Sequence, residues 1–348
     1  MIDSAIQPSR KPVIVLSAVK EEEDNLRRAL PVWSSMADHI VLVLQGRVEE
    51  TRALAARFPK VSIVVNDRDT YDEGHRNELL VAAARKISTR AVFLCLDADE
   101  IPSAQIRSSP EWTTFLEQPP GTAGSLAWVH FWRSASDYIV SGGGAPTYLP
   151  FAFVDDGRPF QHLGRAHVYR GVGLDRPARL FQFHDVVLLH YSLIDFDSVV
   201  LKNHWYKAHF MTVGDRNHGR NNRNHSWFYR VRRAHLAPTP SHWLEGWTSL
   251  GFDVTSSCRP TLHWQALGIL RWMAERGLHD FTRLDIWDVN WEAMRLAALA
   301  AGYDRLPTQP IVPPSRLRCL YYDLCAGRTT VSETLGRWAR LAMWSLAR

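Results

Sequence analysis

The sequence predicts an α/β fold in which a mostly parallel sheet is flanked by helices, followed by a mainly helical C-terminal region. Three observations predict it. Short apolar runs alternate with segments of helical spacing up to residue 96, the pattern of βαβ units and a parallel sheet. The runs are apolar at consecutive positions, as strands buried on both faces are. After His190 the pattern becomes helical and rich in tryptophan.

The elements follow in order. Val13 to Val19 is an apolar run with β-branched residues and reads as a buried strand. Glu21 to Trp33 has helical spacing, with Leu26, Leu30 and Trp33 on one side. His39 to Leu44 and Val61 to Asn66 are further strands; Glu49 to Phe58 and Glu78 to Lys86 are helices. Ala91 to Leu96 (AVFLCL) is a fourth buried strand, ending in Asp97-Ala98-Asp99-Glu100. From Leu126 the texture changes. Leu126 to Trp132, Tyr148 to Val154, Ala166 to Tyr169 and Val186 to His190 read as shorter strands, and Gly142-Gly143-Gly144 as a flexible loop. Helical pattern returns at Ser198 to Met211, Leu262 to Arg276, Trp291 to Ala301 and Ser332 to Ala347, with Pro307 to Pro314 as a linker. Residues 215–225 (DRNHGRNNRNH) are polar, basic and aperiodic, and read as a mobile loop.

A chain of 348 residues suggests two domains, or one large domain with an appendage. Hydrophobic residues make up 46%, enough for a real core and against global disorder. The net charge of +5 lies largely between Arg216 and Arg233 and from Arg316 onward. Such a local basic surface suits diphosphates or acidic lipids, and no RNP-like or KH-like motif accompanies it, so nucleic acid is not expected as a partner. The four cysteines have no metal-ligand spacing. Reduced thiols, a start without an apolar signal region, and the lack of a run of ~18 to 20 apolar residues lead us to expect a cytoplasmic protein, soluble or peripheral.

The acidic cluster is the main chemical signal. In parallel sheets ligands bind beyond the carboxyl ends of the strands, where Asp97 and Asp99 fall. A diphosphate leaving group needs its charge neutralised, and Mn²⁺ or Mg²⁺ held by one or two carboxylates supplies that.

Several segments, in this order, resemble the family 2-like nucleotide-sugar glycosyltransferases of the GT-A fold. VIVLSAVKEEEDNLRRAL is similar to that family's first strand, acidic turn and first helix. EGHRNELLVAAA is similar to its Arg-Asn segment. AVFLCLDADE is similar to its strand ending in Asp-x-Asp. LLHYSLIDFDSVVLKNHWYK is similar to its late histidine and following helix. The resemblance implies a Rossmann-like GT-A domain over 1–210, with 211–348 as a helical, Trp-rich region carrying the basic loop. It further implies Asp99 as the main metal ligand, Asp97 at the ribose or the metal, and His190 completing the metal or diphosphate site. Glu21 would sit near the base, and Arg76 and Asn77 near the nucleotide or sugar. The family carries an acidic pair at the end of the second strand; here Leu44-Gln45-Gly46-Arg47 stands there, so Gln45 would meet the base edge, with a UDP-sugar as first expectation and GDP, dTDP or CMP linkage open.

An inverting transferase needs a base near the acceptor hydroxyl. Asp155 and Asp156 follow a strand in FAFVDDGR and are the candidates, with His167, Asp185 and Glu100 as rivals; a retaining mechanism needs no such base. Arg216 and Arg220, with Arg223, His218 and His225, suit phosphate contacts from a loop that closes on the diphosphate. In the tail, Trp338, Leu341 and Trp344 at helical spacing beside Arg337, Arg340 and Arg348 form a stripe that either packs on its own domain or lies on an anionic membrane surface. The expected function is transfer of a sugar from a nucleotide-sugar donor to a hydroxyl of a glycan or lipid-linked acceptor, as in bacterial surface polysaccharide assembly. The alternatives are a nucleotidyltransferase, which would show a Gly-rich basic loop after the first strand, and a non-catalytic glycan-binding protein using the Trp and His residues as a platform.

Overall fold

A computed structural model describes residues 10–68, 72–159, 179–215, 217–256 and 263–325. The expected strand at Ala166 to Tyr169, the tail helix at Ser332 to Ala347, and the candidates His167 and Arg216 lie outside the described residues. The described residues form two compact units. One lies within Met1–Val140, Ala145–Ile194 and Ala237–Cys258, the other within Ser141–Gly144, Asp195–Leu236 and Arg259–Arg348. The first unit thus leaves off at Ile194, short of the expected 210, and takes residues 237–258 back into itself.

In chain order the first unit contains β1 (Val13–Val19), α1 (Glu23–Met36), β2 (His39–Leu44), α2 (Glu49–Ala55), β3 (Val61–Val65), α3 (Glu73–Ile87), β4 (Val92–Cys95), β5 (Glu100–Pro102), α4 (Pro110–Glu117), β6 (Thr122–His130), β7 (Asp137–Ile139), β8 (Thr147–Val154) and β9 (Arg179–His190). The second contains α5 (Phe196–Thr212) and α6 (His218–Asn224); α7 (His242–Thr248) belongs to the first; α8 (Trp264–Arg276), α9 (Leu278–Phe281), α10 (Trp291–Ala300) and α11 (Arg316–Cys325) belong to the second. No helix among the described residues is long and apolar enough to cross a membrane.

Eight strands form one sheet in the order β3-β2-β1-β4-β8-β6-β9-β5. β3, β2, β1 and β4 are mutually parallel. β8 then runs antiparallel to both β4 and β6, β9 runs parallel to β6, and β5 returns antiparallel on β9. The continuous apolar runs are explained by burial on both faces. Val13, Val15, Ile40, Leu42, Val92 and Leu94 join a core with Leu26, Leu30 and Trp33 of α1. The residues between them, Ile14, Leu16, Val41, Val43, Phe93 and Cys95, join a second core with Leu80, Val81 and Ala84 of α3. In β6 the sheet needs a glycine. A Cβ on Gly124 would stand 2.8 Å from the Phe183 ring and 3.0 Å from that of Phe115.

Within the expected loop, His218–Asn224 form the helix α6. Asn217 caps α6 by accepting from the Arg220 N–H at 3.2 Å, Asp215 accepts from the Asn217 N–H and the Asn221 amide, and His225 stacks on Tyr206. Side-chain caps and one buried residue, Asn221, override a weak local propensity. The three glycines 142–144 form a 3₁₀ turn, and a Cβ on Gly143 would stand 3.2 Å from Trp227. The second unit is knit by a fully buried Lys207, which donates to Asp285 and Ser226, and by Trp205 packed on Trp264, Trp272 and His209.

Glu292 ties α10 to the stretch before α11. It accepts from Arg295 through both carboxylate oxygens, at 2.6 and 2.8 Å, and from the Ile311 N–H at 2.8 Å. The Arg295 guanidinium, followed by that N–H, holds its carboxyl at about 2, well below the ordinary 4.5. A depressed acid stabilises the fold above its unfolded pKa and loses that contribution as the pH falls through the folded one. Wild type should therefore exceed Glu292→Gln in denaturant midpoint at neutral pH, with the gap narrowing below 4.5 and closing near 2. A gap independent of pH would contradict this.

Candidate functional site

Because β1, β2, β4, β6 and β9 all point the same way, their carboxyl ends share one edge of the sheet. Five polar residues gather at the β4, β6 and β9 end of it. After β4 the chain turns through Asp97-Ala98-Asp99, with the Glu100 N–H donating to the Asp97 carbonyl at 3.0 Å, and β5 starts back. β5 pairs with β9 so that Glu100 stands opposite His190. The Tyr191 N–H donates to the Asp99 carbonyl at 2.9 Å, pinning the acidic turn to the end of β9.

This register brings His190 Nε2 to 3.3 Å from Asp99 Oδ2. Asp99, Glu100 and His190 each offer one ligand atom within 4.8 Å of the others, and all three are buried. Glu100 is also a brace. It is completely buried, and its two oxygens accept from the Asp97 N–H and from Trp128 Nε1, both at 2.9 Å, while its carbonyl accepts from Trp33 Nε1 at 3.1 Å. Trp128 stacks on His190 with ring centroids 4.5 Å apart. His130, at the end of β6, places its Nδ1 2.9 Å from His190 Nδ1. Two carboxylates and an imidazole form a donor set of hard oxygens with one nitrogen, which suits Mn²⁺ and is compatible with Mg²⁺.

The expected residues divide. Asp99 and His190 lie side by side. Asp97 is half-buried at the same turn and is not a member of the 4.8 Å group, whose second carboxylate is Glu100. Glu21 lies just past β1 with a left-handed φ of 53°, uncommon for a non-glycine residue. Its carboxylate is 3.3 Å from Arg47 and lies beside Gly46, whose φ of +84° is a conformation that favours glycine. Gln45, buried at the end of β2, donates to the Arg68 carbonyl at 2.6 Å and ties β2 to the stretch after β3. Arg76 and Asn77 are buried near the start of α3. Arg220 is exposed on α6 of the second unit.

Asp155 and Asp156 stand elsewhere. β8 is antiparallel to β4, with Val154 opposite Val92, so the end of β8 lies at the amino edge of β4, and Asp155 N–H donates to the Ala91 carbonyl. Asp155 is buried there in a two-point pair with Arg85 at 2.7 and 3.0 Å, and Asp156 pairs with Arg158 at 2.6 Å. Neither is brought to the acidic turn, and the expectation that one serves as the base is withdrawn. The rival Asp185 lies beside Glu111 in the irregular middle of β9, well before His190, with burial raising its carboxyl pKa. Of the tryptophans, Trp33, Trp112, Trp205, Trp247 and Trp291 are buried in the two units, whereas Trp128, Trp132, Trp227, Trp243, Trp264, Trp272 and Trp287 are partly exposed. His130 and the bracing role of Glu100 escaped sequence reasoning. A lone histidine closing an apolar strand carries no spacing signal, and only the β6–β9 register reveals its neighbour.

The chain matches no family model. Comparison with curated proteins finds no match. Among solved structures it is similar to a 4-diphosphocytidyl-2C-methyl-D-erythritol synthase at 16% identity and a TM-score of 0.33, over 51% of this chain and 91% of that one. It is similar to the inositol-1-phosphate CTP transferase from T. maritima at 11% and 0.31, over 53% and 90%. It is similar to a mannose-1-phosphate geranyltransferase from Thermus thermophilus at 15% and 0.27, over 59% and 65%.

The two edges of the sheet make opposite predictions for mutants. Arg85→Ala strands the buried Asp155 carboxylate and should destabilise the protein by about 3 to 5 kcal/mol in chemical denaturation. Asp156→Asn removes only a surface pair, so its stability should change by less than about 1 kcal/mol and its turnover should be that of wild type. A large activity loss in Asp156→Asn with an intact fold would restore it as a catalytic candidate.

Proposed function

We propose that the first unit is the catalytic domain of a divalent-metal-dependent glycosyltransferase, which moves a sugar from a nucleotide-sugar donor to a hydroxyl of a glycan or glycolipid. The observation that carries the reading is the 3.3 Å approach of His190, ending β9, to Asp99, just beyond β4, at the sheet edge where ligands of such folds bind. Asp99, His190 and Glu100 would hold Mn²⁺ or Mg²⁺, which supplies Lewis-acid neutralisation of a diphosphate leaving group. The protein's own part is preorganisation. Glu100 fixes the Asp97 backbone and the Trp128 ring, the Tyr191 N–H fixes the Asp99 backbone, and the stacked Trp128 shields the His190 ring from water. The ends of β1 and β2, with Glu21, Gln45 and Gly46, form the stretch of the same edge that would face the nucleotide, and Arg76 and Asn77 begin the helix entered after β3.

The second reading is a nucleotidyltransferase, which uses a similar sheet and metal acids. The segment after β1, Lys20-Glu21-Glu22, is acidic and lacks glycine, which favours glycosyl transfer over binding of a triphosphate at that turn.

The test uses the full chain and a panel of UDP-, GDP-, dTDP- and CMP-sugars with Mn²⁺ or EDTA. One donor should raise the melting temperature only with Mn²⁺ and release its nucleotide in a metal-dependent way. Asp99→Ala should lower that rate by at least about a hundredfold, equivalent to ~2.7 kcal/mol, with the fold retained. Undiminished turnover in EDTA or in Asp99→Ala would overturn the proposal. Pyrophosphate release from a nucleoside triphosphate and a sugar 1-phosphate would establish the second reading instead.

A further inference from the structure

We propose that His130 is a positioning residue for the cation site: it sets the tautomer of His190 so that His190 Nε2 presents a lone pair toward Asp99. The inference rests on the reading that Asp99, Glu100 and His190 hold a divalent cation.

Trp128 and His130 are two residues apart on β6 and so share a face of the sheet, and His130 pairs directly with His190 of β9 in the parallel register. All three rings meet on that face. Trp128 lies 4.5 Å from His190 and 4.4 Å from His130, and the two imidazoles are 4.8 Å apart at 58°. Both histidines are buried. With its Nε1 directed to Glu100, Trp128 holds both ring planes against a fixed post. What remains adjustable is the proton between the two Nδ1 atoms, 2.9 Å apart. At that contact one nitrogen donates and the other accepts.

His190 Nε2 would be free to hold a cation only if the proton of that contact belongs to His190 Nδ1 and His130 Nδ1 accepts it. A ligating nitrogen must be unprotonated, so with Nε2 as the ligand the ring proton of His190 would lie on Nδ1. His190 then donates to His130 Nδ1, and His130 carries its own proton on Nε2. Ser192 Oγ, 3.3 Å from the same His190 Nδ1, is the longer and weaker alternative acceptor. His130 would thus do for His190 what a carboxylate or carbonyl does for many metal-bound histidines: it fixes the ring and its tautomer.

Electron paramagnetic resonance of free Mn²⁺ during titration of the full chain tests this. Partners of metal-bound histidines typically change affinity by about 10- to 100-fold. His130→Leu, which fills the space without an acceptor, should weaken Mn²⁺ binding by that factor. His130→Asn, whose Oδ1 can take the place of Nδ1, should stay within about threefold of wild type, a rescue that packing alone does not give. Equal weakening in both variants, or no weakening in His130→Leu, would overturn the role of His130 while leaving the cation site standing. Failure of wild type to bind Mn²⁺, with Asp99→Ala indistinguishable from it, would remove the cation site and this role together. Should His130→Leu not fold, ¹⁵N spectroscopy of wild type with saturating Mg²⁺ reports the tautomer directly. An Nδ1-protonated His190 is expected, and an Nε2-protonated one would overturn the proposal.

Discussion

Glu100 stands opposite His190 in the antiparallel pair of β5 and β9, and the chemistry of this sheet edge depends on that register. β5 is only three residues long, yet it folds the acidic turn back across the sheet order from β4 to the far side of β9. Without it, Asp99 would end a strand separated from His190 by β8 and β6. With it, the Asp99 carbonyl accepts from the Tyr191 N–H and its carboxylate meets the His190 ring. A slip of one residue would turn Glu100 to the other face and remove both the brace on Asp97 and the hold on Trp128.

The fold reserves its two edges for different uses of charge. At the amino edge, the Asp155 carboxylate is fully engaged by one guanidinium in a two-point pair, a closed arrangement that holds α3 to the end of β8. At the carboxyl edge, two carboxylates sit within one buried group with an imidazole. There Glu100 accepts from one backbone and one indole N–H, and Asp99 faces the His190 ring, so the donors are neutral groups and an imidazole where the amino edge uses a guanidinium.

The strands of the parallel half were legible in the sequence because burial on both faces leaves consecutive apolar residues, and AVFLCL followed by DADE located the acidic turn from composition alone. Strand direction was not legible. FAFVDDGR shows a strand ending in acids, but nothing local tells that β8 runs against β4 and carries Asp155 to the wrong edge. Residues 237–258 gave no sign of returning to the first unit either. Their place is set by tertiary contacts, Trp247 Nε1 donating to the Pro102 carbonyl and Gly246 lying so close to Ala104 that a Cβ would stand 2.7 Å away. α6 was missed for a related reason, since its caps act through side chains that also favour turns. His190 was found because the residues around it resembled a family pattern, while His130, its partner across β6 and β9, has no such neighbourhood.

The unit contains a second close acid pair, and the comparison shows why proximity alone does not make a metal site. Glu111 and Asp185 also lie together, on α4 and β9. There the Glu111 carboxylate accepts from the His184 and Asp185 backbone N–H groups at 2.6 and 3.1 Å. Burial alone would raise its carboxyl, but those bonds outweigh it and hold it below the ordinary range, while burial, aided by Glu111, raises that of Asp185. The pair separates its two acidities, with two backbone donors on Glu111. Asp99 and Glu100 are arranged otherwise. Glu100 takes one backbone and one indole donor, Asp99 faces a histidine ring, and that ring is backed by a second imidazole. The proposed cation site therefore differs from the Glu111–Asp185 pair in its added imidazole, a group that can offer a nitrogen lone pair among the carboxylate oxygens.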